Sequence, residues 1–255
     1  MSEELSPAME TEFDQLAGWT ERVLKDLSAE DAIAAACRGS GNPAALAWLA
    51  EKLQVGRSTM FLDVGGGLGG PAAWLKSRWD ISVVIAEPMP RAAAAAHRLW
   101  NIPSTVAWAE HLPFPDACFG AAWALGVLDT TQAKAQLLAE LRRVLCPSGH
   151  LGLLAYERVA DDVDDDDLPE GNEFASAHEM YTLLDLTGWI IADHLDVSTL
   201  PSPPRWWQLR ADDVADQVTT QHRGDEAIGD LQSQGQRMAR LLERRIIVPR
   251  LYHAV

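Results

Sequence analysis

A glycine-rich turn carries the first residues of the sequence whose types and spacing could bind a ligand. Three successive glycines, residues 65 to 67, follow the apolar run Met60 to Val64 and precede a stretch that is typical of a helix. Glycine adopts turn conformations at little steric cost and lets a ligand approach the backbone closely. Asp63 lies just before these glycines, and Glu87 ends the next apolar run. The pattern predicts a ligand site built from a backbone turn and two carboxylates.

The glycine spacing alone leaves two kinds of ligand open. Gly65, Gly67 and Gly70 fit the G-x-G-x-x-G of dinucleotide sites, whereas Gly65, Gly67 and Gly69 fit the G-x-G-x-G of S-adenosylmethionine enzymes. Glu87 fits both ligands, because either one presents ribose hydroxyls. Asp63 favours the second, since its carboxylate would repel a pyrophosphate by about a few kcal/mol at an effective dielectric constant near 20. The same carboxylate suits an ammonium and a sulfonium, which S-adenosylmethionine carries without any phosphate.

Four segments together resemble the class I S-adenosylmethionine-dependent methyltransferases of small molecules that are related to ubiquinone and menaquinone methyltransferases. The resemblance covers roughly residues 58 to 156. Its segments are the turn at Asp63 to Gly69, the acid Glu87 followed by Pro88 and Met89, the run Trp108-Ala109-Glu110-His111-Leu112-Pro113-Phe114, and the turn Arg143-Val144-Leu145-Cys146-Pro147-Ser148-Gly149. The resemblance implies a Rossmann-like, doubly wound α/β sheet of about seven strands and transfer of a methyl group from S-adenosylmethionine, which yields S-adenosylhomocysteine.

The resemblance also implies a role for each motif residue. Asp63 and the glycines would hold the methionine part of the cofactor, Glu87 the ribose, and Met89 and Ala109 the adenine. Arg38, in a loop before the core, could pair with the cofactor's carboxylate, although an ordinary surface arginine is the alternative. The expected cofactor-binding residues are Asp63, Gly65, Gly66, Gly67, Gly69, Glu87, Pro88, Met89, Trp108, Ala109, Glu110, Leu125 and Arg38.

Trp108 departs from the family pattern, in which a carboxylate stands at this adenine position. An indole can stack on adenine but cannot accept a hydrogen bond from its amino group. Glu110 could take over that contact. The alternative is that Trp108 is a core residue at a strand end.

Methyl transfer requires mainly that the acceptor be held in line with the methyl carbon, and a protein base is needed only for some acceptors. His111, beside the adenine segment, is the preferred candidate base. His178 and Tyr181, on a predicted helix after an acidic stretch, could reach the pocket from above. The segment after the fourth strand, Leu125 to Thr130, lacks the Asn/Asp-Pro-Pro-aromatic motif of nucleic-acid amino-methyltransferases.

Charge excludes one class of partner. The formal net charge of the chain is -16, and nucleic-acid binding depends on Lys and Arg that neutralise phosphates. Eight of the acids lie at residues 161 to 173, so the net charge without them is -16 + 8 = -8. This run is typical of a solvated loop, and it lacks the spacing of a calcium-binding loop. No metal site and no nucleic-acid partner are expected.

The elements that must position these residues alternate between strands and helices. Strands are predicted at 60 to 64, 82 to 87, 104 to 108, 117 to 125, 150 to 156, 189 to 196 and 250 to 254, and helices near 71 to 79, 90 to 99, 132 to 145, 178 to 186 and 225 to 245. This alternation predicts a parallel sheet with helices on both faces, whose active site lies at the carboxyl ends of the strands.

The chain is predicted to divide into a helical cap and a core. Residues 1 to 55 read as the cap, where Asn42 and Pro43 start a helix, and residues 56 to 255 as the core. Within the core, 157 to 175 would be the acidic loop and 197 to 248 a cover over the substrate. Trp206 and Trp207, in that cover, could line an acceptor pocket or pack against the sheet.

The remaining features predict a cytoplasmic protein with a small-molecule acceptor. Three scattered cysteines suit a reducing compartment, and neither a signal peptide nor an apolar run of membrane-spanning length is evident. Two other functions stay open at this point. They are a non-catalytic S-adenosylmethionine-binding protein on the same scaffold and, disfavoured by Asp63, an NAD(P)-dependent oxidoreductase.

Overall fold

The computed structural model describes residues 7–40, 42–56, 59–160 and 168–255. Residues 161 to 167, whose aspartates supply most of the negative charge of the predicted acidic loop, lie outside the described residues. The loop was predicted to begin at residue 157, but the preceding strand continues to Arg158. At its other end Phe174 and Ala175 are buried, because they pack under neighbouring elements.

One mixed sheet of seven strands forms the centre of the molecule. The strands are β1 (Met60–Val64), β2 (Ser82–Glu87), β3 (Ser104–Val106), β4 (Phe119–Leu125), β5 (Leu145–Arg158), β6 (Ile191–Asp196) and β7 (Ile247–Ala254). Their order across the sheet is β3-β2-β1-β4-β5-β7-β6. The pairs from β3 to β5 are parallel, as predicted.

The parallel arrangement that the alternation predicts over residues 60 to 156 does not extend to β7, which pairs antiparallel with both β5 and β6. Its first residue, Ile247, lies opposite Arg158, the last residue of β5. The chain therefore enters β7 at the carboxyl edge of the parallel strands and must run back along the sheet.

Nine α-helices occur among the described residues, and one of them was not predicted. They are α1 (Pro7–Leu24), α2 (Ala29–Ala36), α3 (Pro43–Lys52), α4 (Gly70–Lys76), α5 (Pro90–Trp100), α6 (Lys134–Val144), α7 (Ala177–Leu186), α8 (Arg205–Gln221) and α9 (Glu226–Glu243). The helix missed by sequence reasoning is α8. Asn42 caps α3 as predicted, since its Oδ1 accepts from the backbone N–H groups of Ala44 and Ala45. None of the helices in the described parts of the chain is long and apolar enough to cross a membrane.

Helices cover both faces of the sheet, so the doubly wound architecture is confirmed. Buried leucines of α6 and α7, among them Leu141 and Leu184, pack on one face. Residues of α3 and α4, among them Leu49 and Trp74, pack on the other. The side chains of the central strands are shielded on both sides, as parallel sheets require.

A separate apolar cluster above the sheet joins the first two helices to α8 and α9. It contains Trp19 and Leu24 of α1, Ala35 of α2, Val214 of α8 and Ile228 of α9. The boundary predicted at residues 55 and 56 falls after α3, which packs on the sheet, whereas α1 and α2 lie with α8 and α9. We call these four helices, α1, α2, α8 and α9, the helical cover.

Candidate functional site

The glycine turn follows β1 and reverses the chain into α4. The Gly65 N–H donates to the carbonyl of Ala86 at 2.8 Å, and Gly65 and Gly67 have φ values of +65° and +54°. A Cβ atom on Gly65 would lie 2.4 Å from the Val127 side chain. The turn therefore needs glycine for its backbone conformation and for the close approach of the segment after β4.

Glu87 fastens this turn to the end of β2. Its Oε2 accepts from the Gly67 N–H at 2.7 Å and its Oε1 from the Met89 N–H at 3.0 Å. Burial raises the pKa of the carboxyl, and these two hydrogen bonds oppose that shift. The side chain holds two backbone segments of the site in place and keeps lone pairs for a ligand hydroxyl.

Asp63 lies behind the turn, is fully buried and has one oxygen, Oδ2, without a hydrogen-bond partner. A Cβ atom on Gly66 would be 2.9 Å from this oxygen. Burial raises the pKa of Asp63 to about 7, the Trp123 side chain opposes that rise, and the charge of Glu87 adds to it. A buried carboxyl with a free oxygen is costly unless a donor or a cation approaches it, so the turn is electrostatically suited to a cationic ligand.

A cavity of about 1610 Å³ opens above the turn, between the sheet edge and the helical cover. Among the predicted residues, its wall includes Arg38, Gly65, Gly66, Gly67, Glu87, Pro88, Met89, Trp108, Ala109, Glu110, His111 and Leu125. The structure thus brings together residues that are spread over almost ninety positions of the sequence. Most of them come from the carboxyl ends of β1, β2 and β4, where a parallel sheet places its ligands.

Four of the predicted cofactor-binding or catalytic residues do not lie on the described wall of this cavity. Asp63 lies behind Gly66, which separates its carboxyl group from the cavity. A Cβ atom on Gly69 would lie 2.9 Å from the Trp100 ring, so this glycine allows α5 to pack against the turn. His178 is exposed on α7, whose buried residues pack on a face of the sheet, and it does not line the described cavity. Tyr181 of the same helix contacts His194 at 3.2 Å instead of the cavity.

Trp108 faces the cavity. It is 39% exposed, and it follows β3, which ends at Val106 and not at residue 108 as predicted. The interpretation of Trp108 as a core residue is therefore wrong. The neighbouring Ala109 is buried at the wall, as expected for a residue that offers its backbone.

The segment after Trp108 is tied to the region before and within α6. Glu110 accepts a hydrogen bond from the Thr131 hydroxyl at 2.6 Å. The Gln136 amide nitrogen lies 3.2 Å from His111 Nδ1. His111 is exposed at the cavity wall, so a ligand can reach its ring. Sequence reasoning missed Thr131 and Gln136, since nothing local couples them to residues some 20 positions earlier.

Residues 62–153 match the family model described as "Methyltransferase domain". The match includes the glycine turn, Glu87, the segment from Trp108 to His111 and the segment from Arg143 to Gly149. Residues 62–153 are thus similar to methyltransferase domains, and the sheet with its flanking helices has the fold of the class I methyltransferases. The resemblance to ubiquinone methyltransferases in particular stays a prediction.

One curated relative is similar to this chain in sequence, and two solved structures are similar to it in fold. Methyltransferase GfsG of Streptomyces halstedii is 31% identical over 127 residues, which are 45% of this chain and 45% of that protein. The chain thus matches less than half the length of this relative. The [4+2]-cyclase SpnF has a TM-score of 0.66 at 23% identity, over 82% of this chain and 79% of its own. A methyltransferase from Geobacter sulfurreducens in complex with S-adenosylhomocysteine has a TM-score of 0.64 at 14% identity, over 85% and 92%.

The helical cover lies outside the matched methyltransferase domain, and it supplies further wall residues that sequence reasoning missed. They include Phe13, Leu16, Val214, Val218, Leu231, Gln232 and Gln236. The spacing of Trp207, Val214 and Val218, seven and four residues apart, could have indicated α8. Trp206 and Trp207 do not line the described cavity, and Trp207 is buried against the sheet, so the packing interpretation is confirmed for it.

Proposed function

We propose that the protein transfers a methyl group from S-adenosylmethionine to a small organic acceptor and releases S-adenosylhomocysteine. One observation carries the proposal. The turn fastened by Glu87 stands at the floor of a large cavity, with the free oxygen of Asp63 buried behind it. A cationic ligand with ribose hydroxyls fits both carboxyls, and the matched methyltransferase domain supports the same choice.

The residues of the site fit this cofactor without rearrangement of the turn. Gly65 to Gly67 expose backbone at the wall, and any side chain on Gly66 would meet Asp63. Glu87 would accept from the ribose hydroxyls, while Met89 and Trp108 would contact the adenine from the wall. Arg38 lies on the same wall, where it would pair with the cofactor's carboxylate. When bound, S-adenosylmethionine supplies an activated methyl group.

The residues of this chain would contribute to the reaction mainly by positioning the acceptor and by excluding water. The helical cover closes the cavity above the sheet edge, so the acceptor would be held against the turn in the reactive orientation. His111 is the residue that would take a proton from a hydroxyl acceptor, and Gln136 would orient its ring through Nδ1. His178 has no part in this proposal, since its helix lies elsewhere.

Two other functions are less well supported. A nicotinamide dinucleotide would bring its pyrophosphate towards Asp63 and Glu87, two buried carboxyls. A non-catalytic binding protein has no specific feature in its favour, because His111 and the cavity provide for an acceptor. The cytoplasmic location and the absence of nucleic-acid partners stay predictions.

Isothermal titration with S-adenosylhomocysteine tests the cofactor assignment. We expect the purified chain to bind it and Glu87→Ala to weaken binding by about 10- to 100-fold, because a charge-assisted hydrogen bond contributes about 1.5–3 kcal/mol. Glu51→Ala, an equal change on the exposed surface of α3, serves as the control and keeps wild-type affinity.

The same preparations then test catalysis with a panel of hydroxyl, amine and thiol acceptors. For a hydroxyl acceptor, His111→Asn should lower kcat by about 100-fold or more and leave the affinity for S-adenosylhomocysteine unchanged. Binding of NADH in place of S-adenosylhomocysteine would contradict the proposed function. Cofactor binding without turnover on any acceptor would favour the non-catalytic alternative.

A further inference from the structure

We propose that the methyl acceptor is an uncharged amphipathic molecule with several oxygen atoms, comparable in size to the cofactor or larger. This inference rests on the proposed function, because it concerns the part of the same cavity that the cofactor would not fill. It follows from the volume, the side-chain chemistry and the charge of the wall under the helical cover.

The volume of the cavity leaves room for a second ligand beside the cofactor. Pockets for a drug-sized molecule enclose roughly 300–1,000 Å³, whereas this cavity encloses about 1610 Å³. The cofactor would lie against the turn, the end of β2 and the segment after β3. The remaining space is bounded by α1, α8 and α9 and is large enough for a second molecule of similar size.

The wall of that remaining space alternates between apolar and amide side chains. Leu16 of α1, Val214 and Val218 of α8 and Leu231 of α9 supply apolar surface. Gln132 and Gln136, before and within α6, face the same cavity as Gln232 and Gln236 of α9. A glutamine amide donates and accepts without charge, so it suits hydroxyl and carbonyl groups. The combination fits a molecule with an apolar framework and scattered oxygens.

The charges of the wall disfavour an anionic acceptor. Within the described part of the chain, Arg38 is the only Lys or Arg on the wall, and it lies beside the turn. The acids Glu110, Glu170 and Asp216 line the wall as well. A phosphate or carboxylate would therefore meet like charges and no lysine or arginine on the acceptor side.

A cationic acceptor is also disfavoured. Glu110 is already hydrogen-bonded to Thr131, and Asp216 and Glu170 are exposed to solvent. Ammonium ligands are commonly held by several aromatic rings, but among the described residues of the cover only Phe13 contributes a ring to this wall. An uncharged acceptor is the class that the wall accommodates best.

Binding of matched probes to the protein saturated with S-adenosylhomocysteine tests the acceptor class. Nile red, an uncharged oxygen-bearing dye, reports occupation of the acceptor space by its fluorescence. Three competitors share one framework: a hydroxylated steroid, its phosphate ester and its amine. We expect Nile red to bind and the hydroxylated steroid to displace it at least tenfold more effectively than the phosphate or the amine.

Two variants locate the binding. Ala215 of α8 lies on the wall, and Ala215→Phe should weaken Nile red binding by about tenfold while the affinity for S-adenosylhomocysteine stays unchanged. Gln232→Arg should bring the steroid phosphate to parity with the hydroxylated steroid. Gln221→Arg, the same charge change at the end of α8 and off the described wall, should not.

The outcomes separate this inference from the proposed function. Equal or better competition by the phosphate or the amine would overturn the acceptor class, as would the failure of Nile red to bind the saturated protein. Both leave the cofactor assignment intact. Failure of S-adenosylhomocysteine itself to bind would overturn the proposed function instead.

Discussion

Two buried carboxyls at the ends of neighbouring strands have different surroundings and therefore different roles. Both oxygens of Glu87 accept from backbone N–H groups, so Glu87 stabilises the turn by itself. Asp63 keeps one oxygen without a partner, and the pKa of Asp63 is raised to about 7 by burial. Glu87 holds two backbone segments of the site together, whereas the charge of Asp63 has to be stabilised by the ligand.

The pKa of Asp63 predicts that cofactor binding depends on pH. Below pH 7 the free protein holds Asp63 largely protonated, and a ligand with an ammonium group favours the ionised form, so binding releases a proton. We expect the affinity for S-adenosylhomocysteine to rise by up to about tenfold from pH 6 to pH 8. Calorimetry in buffers of different ionisation enthalpy measures the released proton directly. Asp63→Asn should abolish both the release and the rise.

Asp129 provides the control, since burial also raises its pKa to about 7 and it does not line the described cavity. Asp129→Asn should leave the proton release intact. The pKa of each acid is higher in the folded than in the unfolded state, so each lowers the free energy of unfolding as pH rises from about 4 to 7. Asp63→Asn should therefore raise the melting temperature of the free protein at pH 8 more than at pH 5. A proton release that survives Asp63→Asn would contradict the assigned role.

The residues of the site were predictable where the signal is local. The glycine turn, Glu87 and the segment from Trp108 to His111 each lie beside a recognisable strand end. The glutamines of the wall and Thr131 could not be predicted, because their importance arises from helices that meet only in the folded molecule. His178 shows the limit of a local signal: the sequence places it on a helix, but it gives no information on which part of the sheet that helix covers.

At the scale of elements, the close contact between α2 and α4 links the helical cover to the sheet. A Cβ atom on Gly70, at the start of α4, would lie 2.3 Å from the carbonyl carbon of Ala36 in α2. Neither backbone can move freely, since α4 is buried almost throughout. Only glycine permits this packing, which positions α2 and the Arg38 loop over the turn.

Substitution of Gly70 tests the contact. Gly70→Ala should lower the free energy of unfolding by about 1–3 kcal/mol, as overpacking does elsewhere. Gly229→Ala is the matched control, because Gly229 lies in α9 and a Cβ atom there would meet no atom within 4 Å. It should raise stability by about 0.5–1 kcal/mol through helix propensity. Equal effects of the two substitutions in urea unfolding would show that the α2–α4 contact does not constrain the fold.

Some elements of the fold could be predicted from the sequence, and others could not. Strands β1, β2 and β4 are short apolar runs with clear ends, and their pairing follows from the alternation with helices. The direction of β7 could not be read from its sequence, since an antiparallel and a parallel buried strand have similar apolar patterns. Helix α8 was missed because only three of its 17 residues, Trp207, Val214 and Val218, are buried, which leaves a weak apolar stripe.

At the scale of the whole molecule, helices from before and after the matched methyltransferase domain meet above the carboxyl edge of the sheet. α1 and α2 contact α8, and α1 also contacts α9. An ion pair of 2.9 Å joins Arg210 to Asp31, and the rings of Trp19 and His222 stack at 3.9 Å. Two acids of the stretch at residues 161 to 173 also have defined positions. Glu173 pairs with the buried Lys134 at 2.7 Å, and Glu170 lies on the cavity wall. The site is therefore closed by segments outside the matched methyltransferase domain.

This arrangement predicts that the two ligands protect different parts of the molecule from hydrogen exchange. S-adenosylhomocysteine should slow exchange at least tenfold in the turn, at the end of β2 and in α1, because Ala17 of α1 packs with Met89 at the cofactor wall. Nile red added afterwards should protect α8 and α9, which line the acceptor space. Helix α7, on a sheet face away from the cavity, serves as the internal control and should not change. Protection of α8 and α9 by S-adenosylhomocysteine alone, with none at the turn, would place the cofactor under the cover and reverse the two halves of the cavity.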